Sequence, residues 1–172
     1  YGVSKMAGER YLFVYAQPHG LPFVSLRYAN VYGPQIEPAG ETGVVTLFAQ
    51  RLMAGQPPII FGDGEQTRDF VFIDDVVQAN RYALSYEGSV CLNIATGIAT
   101  SVNALLETML TLSGVRVEAE YRAPRAGEIR HSCLSPAKAA RELGWSATTS
   151  LRDGLRQVLE FTRSQRRAVR EP

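Results

Sequence analysis

The first five residues, Tyr1-Gly2-Val3-Ser4-Lys5, place a phenol and an ammonium four positions apart. The chain then runs without proline to Pro18, and Met6, Ala7, Glu9, Arg10 and Leu12 all suit a helix. In a helix over residues 1–17, Tyr1 and Lys5 share one face. A positive charge beside a phenol favours its ionised form. Such a tyrosine can exchange a proton with a substrate hydroxyl near neutral pH. The same spacing occurs on ordinary helix faces, so the pair alone does not define a site.

The elements that would position this pair alternate between strand and helix. Gly20-Leu21-Pro22 ends the first helix, and residues 23–28 form a short apolar run bounded by turn residues, as in a buried strand. Residues 30–43 read as loop, punctuated by Gly33-Pro34, Pro38 and Gly40. Helical spacing returns over 44–54 and stops at Gly55 and Pro57-Pro58. Strands are expected at 59–61 and 70–73, separated by a Gly62-Asp63-Gly64 turn. Asp74 is placed to cap a helix over 75–86. A strand at 90–94 leads to a helix capped by Thr100 or Ser101 and stopped by Gly114. Residues 115–121 alternate as a strand does, and Ser135-Pro136 resembles a cap followed by a first-turn proline. That helix ends at Gly144, and a last one covers 151–168 with Leu151, Leu155, Val158, Leu159 and Phe161 inward. The alternation predicts an α/β fold.

Composition narrows the function classes. The 172 residues are 45% hydrophobic and 20% charged, as in an ordinary globular domain with a real core. Net charge is +1, from 18 basic and 17 acidic residues, which gives no field suited to nucleic acid. The basic run from Arg163 to Arg170 reads as a solvated helix end favourable to the helix dipole, with no aromatic platform beside it. No apolar stretch reaches membrane-spanning length, so no membrane partner is expected. Cys91, Cys133, His19 and His131 lack metal-ligand spacing, so no metal is expected. Two reduced thiols suit a cytoplasmic protein.

Four further segments accompany the pair: Leu26-Arg27-Tyr28-Ala29-Asn30-Val31-Tyr32-Gly33-Pro34, the stretch from Ile60 through Gly62-Asp63-Gly64-Glu65-Gln66-Thr67-Arg68-Asp69 to Val76, Arg125-Ala126-Gly127-Glu128-Ile129-Arg130, and residues 137–145 ending in Leu143-Gly144-Trp145. In this order and spacing the set resembles the extended short-chain dehydrogenase/reductase family. Within it, the set resembles the NAD-dependent nucleotide-sugar epimerases and dehydratases, and most of all UDP-glucose 4-epimerases of bacterial and archaeal type. The likeness covers the chain to about residue 162 and is that of the C-terminal half of such an enzyme. No G-x-G-x-x-G lies between a strand and a helix; the family's glycine-rich pyrophosphate loop would lie upstream.

The resemblance implies the following roles. Tyr1 is the acid/base, and Lys5 tunes it and bonds the nicotinamide ribose. Tyr28 packs near the nicotinamide of NAD. Asn30, Arg68 and Arg125 bind the diphosphate of a UDP-sugar, where a planar guanidinium can bind two oxygens at once. The backbone of Val44 and Val45 touches the sugar nucleotide, and Ile59, Ile60 and Phe61 line the uracil. Glu128 stands where relatives usually carry aspartate against the ribose. Ser132 occupies the position that limits sugar-pocket size, and a small residue there admits N-acetyl groups. The late part of a Rossmann-like domain would comprise residues 1–34 and about 69–96, and the sugar-nucleotide domain about 35–68 and 97–172.

The implied reaction is NAD-dependent epimerisation at C4 of a UDP-hexose, in a parent enzyme that forms homodimers. A 4,6-dehydratase, a UDP-glucuronate epimerase or a decarboxylase remains open, and so does a non-catalytic nucleotide-sugar-binding module. The isolated chain is expected to be inactive, to bind NAD weakly and to dissolve poorly, since half a sheet leaves an open edge.

Overall fold

The computed structural model describes residues 1–34 and 42–168. Helix α1 (Gly2–His19) precedes strands β1 (Val24–Tyr28) and β2 (Asn30–Tyr32). Then follow α2 (Val44–Met53), β3 (Ile59–Phe61), β4 (Thr67–Arg68) and β5 (Phe70–Phe72). Helix α3 (Ile73–Ala83) and β6 (Val90–Ile94) lead to β7 (Thr100–Ser101) and α4 (Val102–Ser113). Strand β8 (Glu120–Arg122), α5 (Ala137–Leu143) and α6 (Leu151–Ala168) complete the order. The fold is α/β, as expected.

Strands β1 and β6 pair in parallel, as do β2 with β5 and β3 with β8, while β4 and β7 are antiparallel. The chain changes partner at Ala29. Its amide donates to Ile94 O at 3.0 Å, and the next amide, Asn30 N, donates to Asp69 O at 2.9 Å. This carries Asn30 from the β6 side to the β5 side.

Strand β5 shows how the core forms. Side chains alternate across a strand. Phe70 and Phe72 enter one cluster with Tyr32, Phe48, Leu105, Met109 and Leu155 from β2, α2, α4 and α6. Val71 enters another with Val76, Leu92, Ile94, Ala139 and Trp145. Both faces are buried, which explains the unbroken apolar run in the sequence. Residues 139 and 145 therefore pack with β5, β6 and α3.

Several boundaries differ from expectation. Helix α1 passes Pro18, loses one hydrogen bond there, and closes at Gly20, whose φ of 59° is left-handed. The supposed loop from Asn30 begins as a strand, because Asn30–Tyr32 finds a ladder on Phe70–Phe72 and Tyr32 packs edge-on against both rings. The rest of that loop, 35–41, lies outside the described residues. Asp74 caps nothing: α3 starts directly from β5 with Phe72 as its N-cap. The strand over 115–121 contracts to 120–122, because its partner β3 is preceded by Pro57-Pro58, which carry no amide donors. Ser135 sits one residue too early to be the N-cap of α5, which is Pro136.

The Tyr32 contact extends to α6. A Cβ at Gly154 would overlap the Tyr32 hydroxyl and lie 2.8 Å from Phe72 Cδ2. Alanine gains about 1 kcal/mol of helix propensity over glycine. Overpacking a dense core costs about 1–3 kcal/mol, and Tyr32 is held between Phe70 and Phe72. Gly154→Ala is therefore expected to lower the denaturation midpoint in urea, by a net cost on the order of 1 kcal/mol. Among the described residues no helix is long and apolar enough to cross a membrane.

Candidate active site

Helix α1 lies antiparallel on β1 through a small set of contacts. Phe13 meets Phe23 edge-on at 4.9 Å. Four residues earlier, Glu9 receives Ser25 Oγ at 2.9 Å and a bidentate pair from Arg27 at 2.6 Å each. Four helical residues advance about 6 Å, as do two strand residues. One further turn carries Lys5 on towards the carboxyl end of β1. In open α/β sheets this is the end where ligands bind. The Arg27 hydrogen bond holds the Glu9 carboxyl at about 2, below its ordinary 4.5. The clamp thus persists below the usual carboxylate range and is lost as pH falls towards 2.

Tyr1 is the N-cap of α1, and its carbonyl accepts Lys5 N at 3.1 Å and Ser4 Oγ at 2.7 Å. The Lys5 ammonium stands 5.2 Å from the Tyr1 ring centroid. Tyr1 is 94% exposed, so the phenol and the ammonium stand together facing solvent. Tyr28 points elsewhere: its hydroxyl bonds Asn80 Oδ1 at 3.0 Å, in a cleft that also contains Leu84.

Asn30, Val44 and Val45 meet in a cleft of about 380 Å³, with Tyr32, Phe70 and Ile73. Asn30 is exposed at the start of β2, while Val45 is buried and offers the cleft little beyond its backbone. A second cleft of about 440 Å³ joins Phe61, Gln66, Arg122, Arg125 and Glu128. There the Arg125 guanidinium lies 3.9 Å from the Phe61 ring centroid. Arg68 reaches Glu128 at 3.4 Å and Thr67 O at 2.8 Å. Of the three residues expected at uracil, Phe61 faces this cleft, Ile60 is buried in the core and Ile59 is half-buried. Half-buried Ser132 is pinned beside β4, its amide donating to Thr67 O at 3.1 Å.

Sequence reasoning missed Asp69, which ties these pieces together. It is 1% exposed. Its carboxylate accepts Thr96 N at 2.9 Å, Thr96 Oγ1 at 2.7 Å and Gly97 N at 2.9 Å, and Cys133 Sγ lies 3.7 Å away. Burial and this carboxylate push the Cys133 thiol up. Asp69 also holds Asn30 by its carbonyl, so one residue next to Arg68 anchors both Asn30 and the segment carrying Ser132. The available signal was a carboxylate set against the apolar run 70–73, since a buried charge needs partners. Asp75 was missed likewise: it receives Thr148 N, Thr148 Oγ1 and Thr149 N at 2.8–3.1 Å. Its carbonyl accepts Trp145 Nε1 at 2.9 Å.

Relatives share this arrangement of elements. The profile of the NAD dependent epimerase/dehydratase family matches residues 1–95. A UDP-glucose 4-epimerase of Mycolicibacterium smegmatis is 40% identical over 166 residues, covering 96% of this chain and 53% of that protein. The crystal structure of UDP-glucose 4-epimerase with UDP-glucose from Thermotoga maritima superposes with a TM-score of 0.91 at 43% identity, over 95% of this chain and 53% of that one. The Thermus thermophilus UDP-glucose 4-epimerase complex with NAD gives 0.87 at 37% identity, over 95% and 53%. The chain spans about half the length of the relatives it matches. With the profile, the curated relative and the solved structures in agreement, the chain belongs to the NAD-dependent epimerase/dehydratase family.

Proposed function

We propose that these residues form the substrate-binding half of a UDP-hexose 4-epimerase, interconverting UDP-glucose and UDP-galactose. The observation that carries this reading is the Tyr1–Lys5 pair, ammonium 5.2 Å from the ring centroid, on the helix that Glu9 clamps to β1. The likeness to UDP-glucose 4-epimerases supports the choice of substrate. The division proposed above, into residues 1–34 with about 69–96 and about 35–68 with 97–172, is kept as part of this reading.

The donor set fits the nicotinamide end of NAD: Lys5 offers an ammonium to a ribose hydroxyl and Tyr1 a ring, whereas Tyr28, expected there, turns to Asn80. Bound NAD supplies a reversible acceptor for the C4 hydride, so that C4 can pass through a ketone and be reduced on its other face. The chain's own residues do the rest. Tyr1 takes the C4-hydroxyl proton and returns it after the sugar has turned. Lys5 stabilises the phenolate while it holds no proton. Arg68, Arg125 and Asn30 hold the diphosphate, so the sugar can rotate about a fixed anchor. Phe61 offers a flat face to uracil and Glu128 an acceptor to its ribose. The exposed Met6, Tyr11 and Val14 of α1 are the surface a second copy would cover in a homodimer.

Ser132 is small enough to leave room for an N-acetyl group. The test is to incubate the full-length polypeptide with UDP-glucose, and separately with UDP-N-acetylglucosamine, and to follow the anomeric protons by NMR. Both galacto-epimers are expected without added NAD. Turnover of the plain sugar alone removes the role given to Ser132. No epimer in either tube removes the 4-epimerase reading.

A further inference from the structure

The side chain next to Arg68 has no place in the roles above. Strand β4 is two residues long, Thr67–Arg68, and pairs with β7 on one edge. Along its other edge runs the segment that follows Arg125. Thr67 N donates to Arg130 O at 2.9 Å, and Ser132 N donates to Thr67 O at 3.1 Å, which makes Thr67 and His131 parallel bridge partners. Bridge partners project to the same side of a ladder. Their side chains meet there: Thr67 Oγ1 lies 3.1 Å from His131 Nδ1. The next residues along, Arg68 and Ser132, are those given the diphosphate and the wall of the sugar pocket.

The bridge stands alone, so two backbone bonds and this side-chain bond hold residues 130–132 against Thr67. The hydroxyl can donate to a bare Nδ1 or accept from Nδ1–H, so the bond forms with either tautomer. A further tie, Arg68 to Glu128 at 3.4 Å, runs through the guanidinium that a diphosphate would draw on. The Thr67–His131 bond is free of that competition.

We propose that Thr67 and His131 are a positioning pair. Their hydrogen bond fixes Ser132 relative to Arg68, and so fixes the wall against which the sugar turns relative to the anchor that holds its diphosphate. The inference rests on the UDP-sugar reading above and extends it to two residues that had no role there. Neither touches substrate in this account. They act through their neighbours, because a small misplacement of the reacting sugar costs rate even where binding is kept.

The test uses the full-length polypeptide and its Thr67→Val, Thr67→Ser, His131→Ala and combined Thr67→Val/His131→Ala variants. Valine keeps the branched shape and removes the hydroxyl, and serine keeps the hydroxyl. Two quantities are read: kcat/KM for UDP-glucose, and calorimetric affinity for UDP, which has the diphosphate and lacks the sugar. Thr67→Val is expected to lower kcat/KM roughly three- to tenfold, the worth of one side-chain hydrogen bond, with UDP affinity within about twofold of wild type. Thr67→Ser is expected to stay within about twofold of wild type in both. His131→Ala should match Thr67→Val, and the combined variant should fall no further, because both single changes remove the same bond. An unchanged kcat/KM in Thr67→Val, an equal loss of UDP affinity, no rescue by serine, or additive losses in the combined variant would each overturn the pair and leave the substrate reading standing. No turnover of UDP-glucose by wild type overturns both.

Discussion

Replacing Tyr1 by Phe is expected to lower turnover of UDP-glucose by about 10²–10⁴-fold, the usual worth of a positioned acid/base. The substitution removes one oxygen from a residue that is 94% exposed and packs nothing. Stability and UDP affinity should therefore stay as in wild type, since Asn30, Arg68, Phe61 and Arg125 lie on other elements. A fall in kcat with unchanged nucleotide affinity marks a group that acts in the transition state. Lys5 stays 5.2 Å from the ring centroid in either case, so the variant isolates the hydroxyl from the ammonium. Near wild-type turnover would place the acid/base elsewhere.

The second large effect concerns stability. Asp69→Ala leaves Thr96 N, Thr96 Oγ1 and Gly97 N without their acceptor inside the fold. Hydrogen bonds to a charged group contribute about 1.5–3 kcal/mol each, and water entering the gap recovers part of the loss. A net cost of about 3 kcal/mol is expected, or a Tm lower by about 6–12 °C for a chain of this size. Asp69→Asn should fall between, because its oxygen serves Thr96 while its amide faces the Gly97 N–H. Differential scanning calorimetry checks the order wild type, Asn, Ala. UDP affinity should follow the same order, since the Asp69 side chain holds Thr96 and Gly97 and lies against Cys133, next to Ser132. A Tm unchanged in the alanine variant would show that the buried carboxylate holds nothing.

The sequence was most readable where one residue type solves one local problem. Gly114 and Gly144 both adopt left-handed φ at helix ends, and Ser101 Oγ accepts Ala104 N, as their positions suggested. The helix at 44–53 and the strands at 59–61 and 90–94 followed from spacing and length. Errors arose where a partner distant in sequence decides. Asn30–Tyr32 becomes a strand only because Phe70–Phe72 lies beside it, 40 residues on. Residues 115–119 alternate in burial but fail as strand because β3 is cut short by prolines. Asp74 read as a helix cap, yet α3 starts at Ile73, and the neighbouring Asp75 is buried against residues 148–149, a contact with no local signature.

The candidate site divides in the same way. The type and spacing of Tyr1 and Lys5 were enough to expect them on one face, and they are adjacent. Arg125 and Phe61 are 64 positions apart, and only the resemblance to a family linked them before the fold placed one over the other. Gln66 and Asp69 had no role by either route. Their places appear only in the folded hydrogen bonds, Gln66 Nε2 tied to Phe61 O and the Asp69 oxygens accepting several donors.

The most direct test of the central claim is the fate of a deuterium at C4. Full-length polypeptide is incubated with UDP-[4-²H]glucose in ordinary water, without added cofactor, and the product is examined by NMR. Retention of the label at C4 of UDP-galactose is predicted, because the same hydride leaves and returns while Tyr1 exchanges only the hydroxyl proton. Washout of deuterium into water would contradict the account, since it requires C4 to lose its hydrogen as a proton.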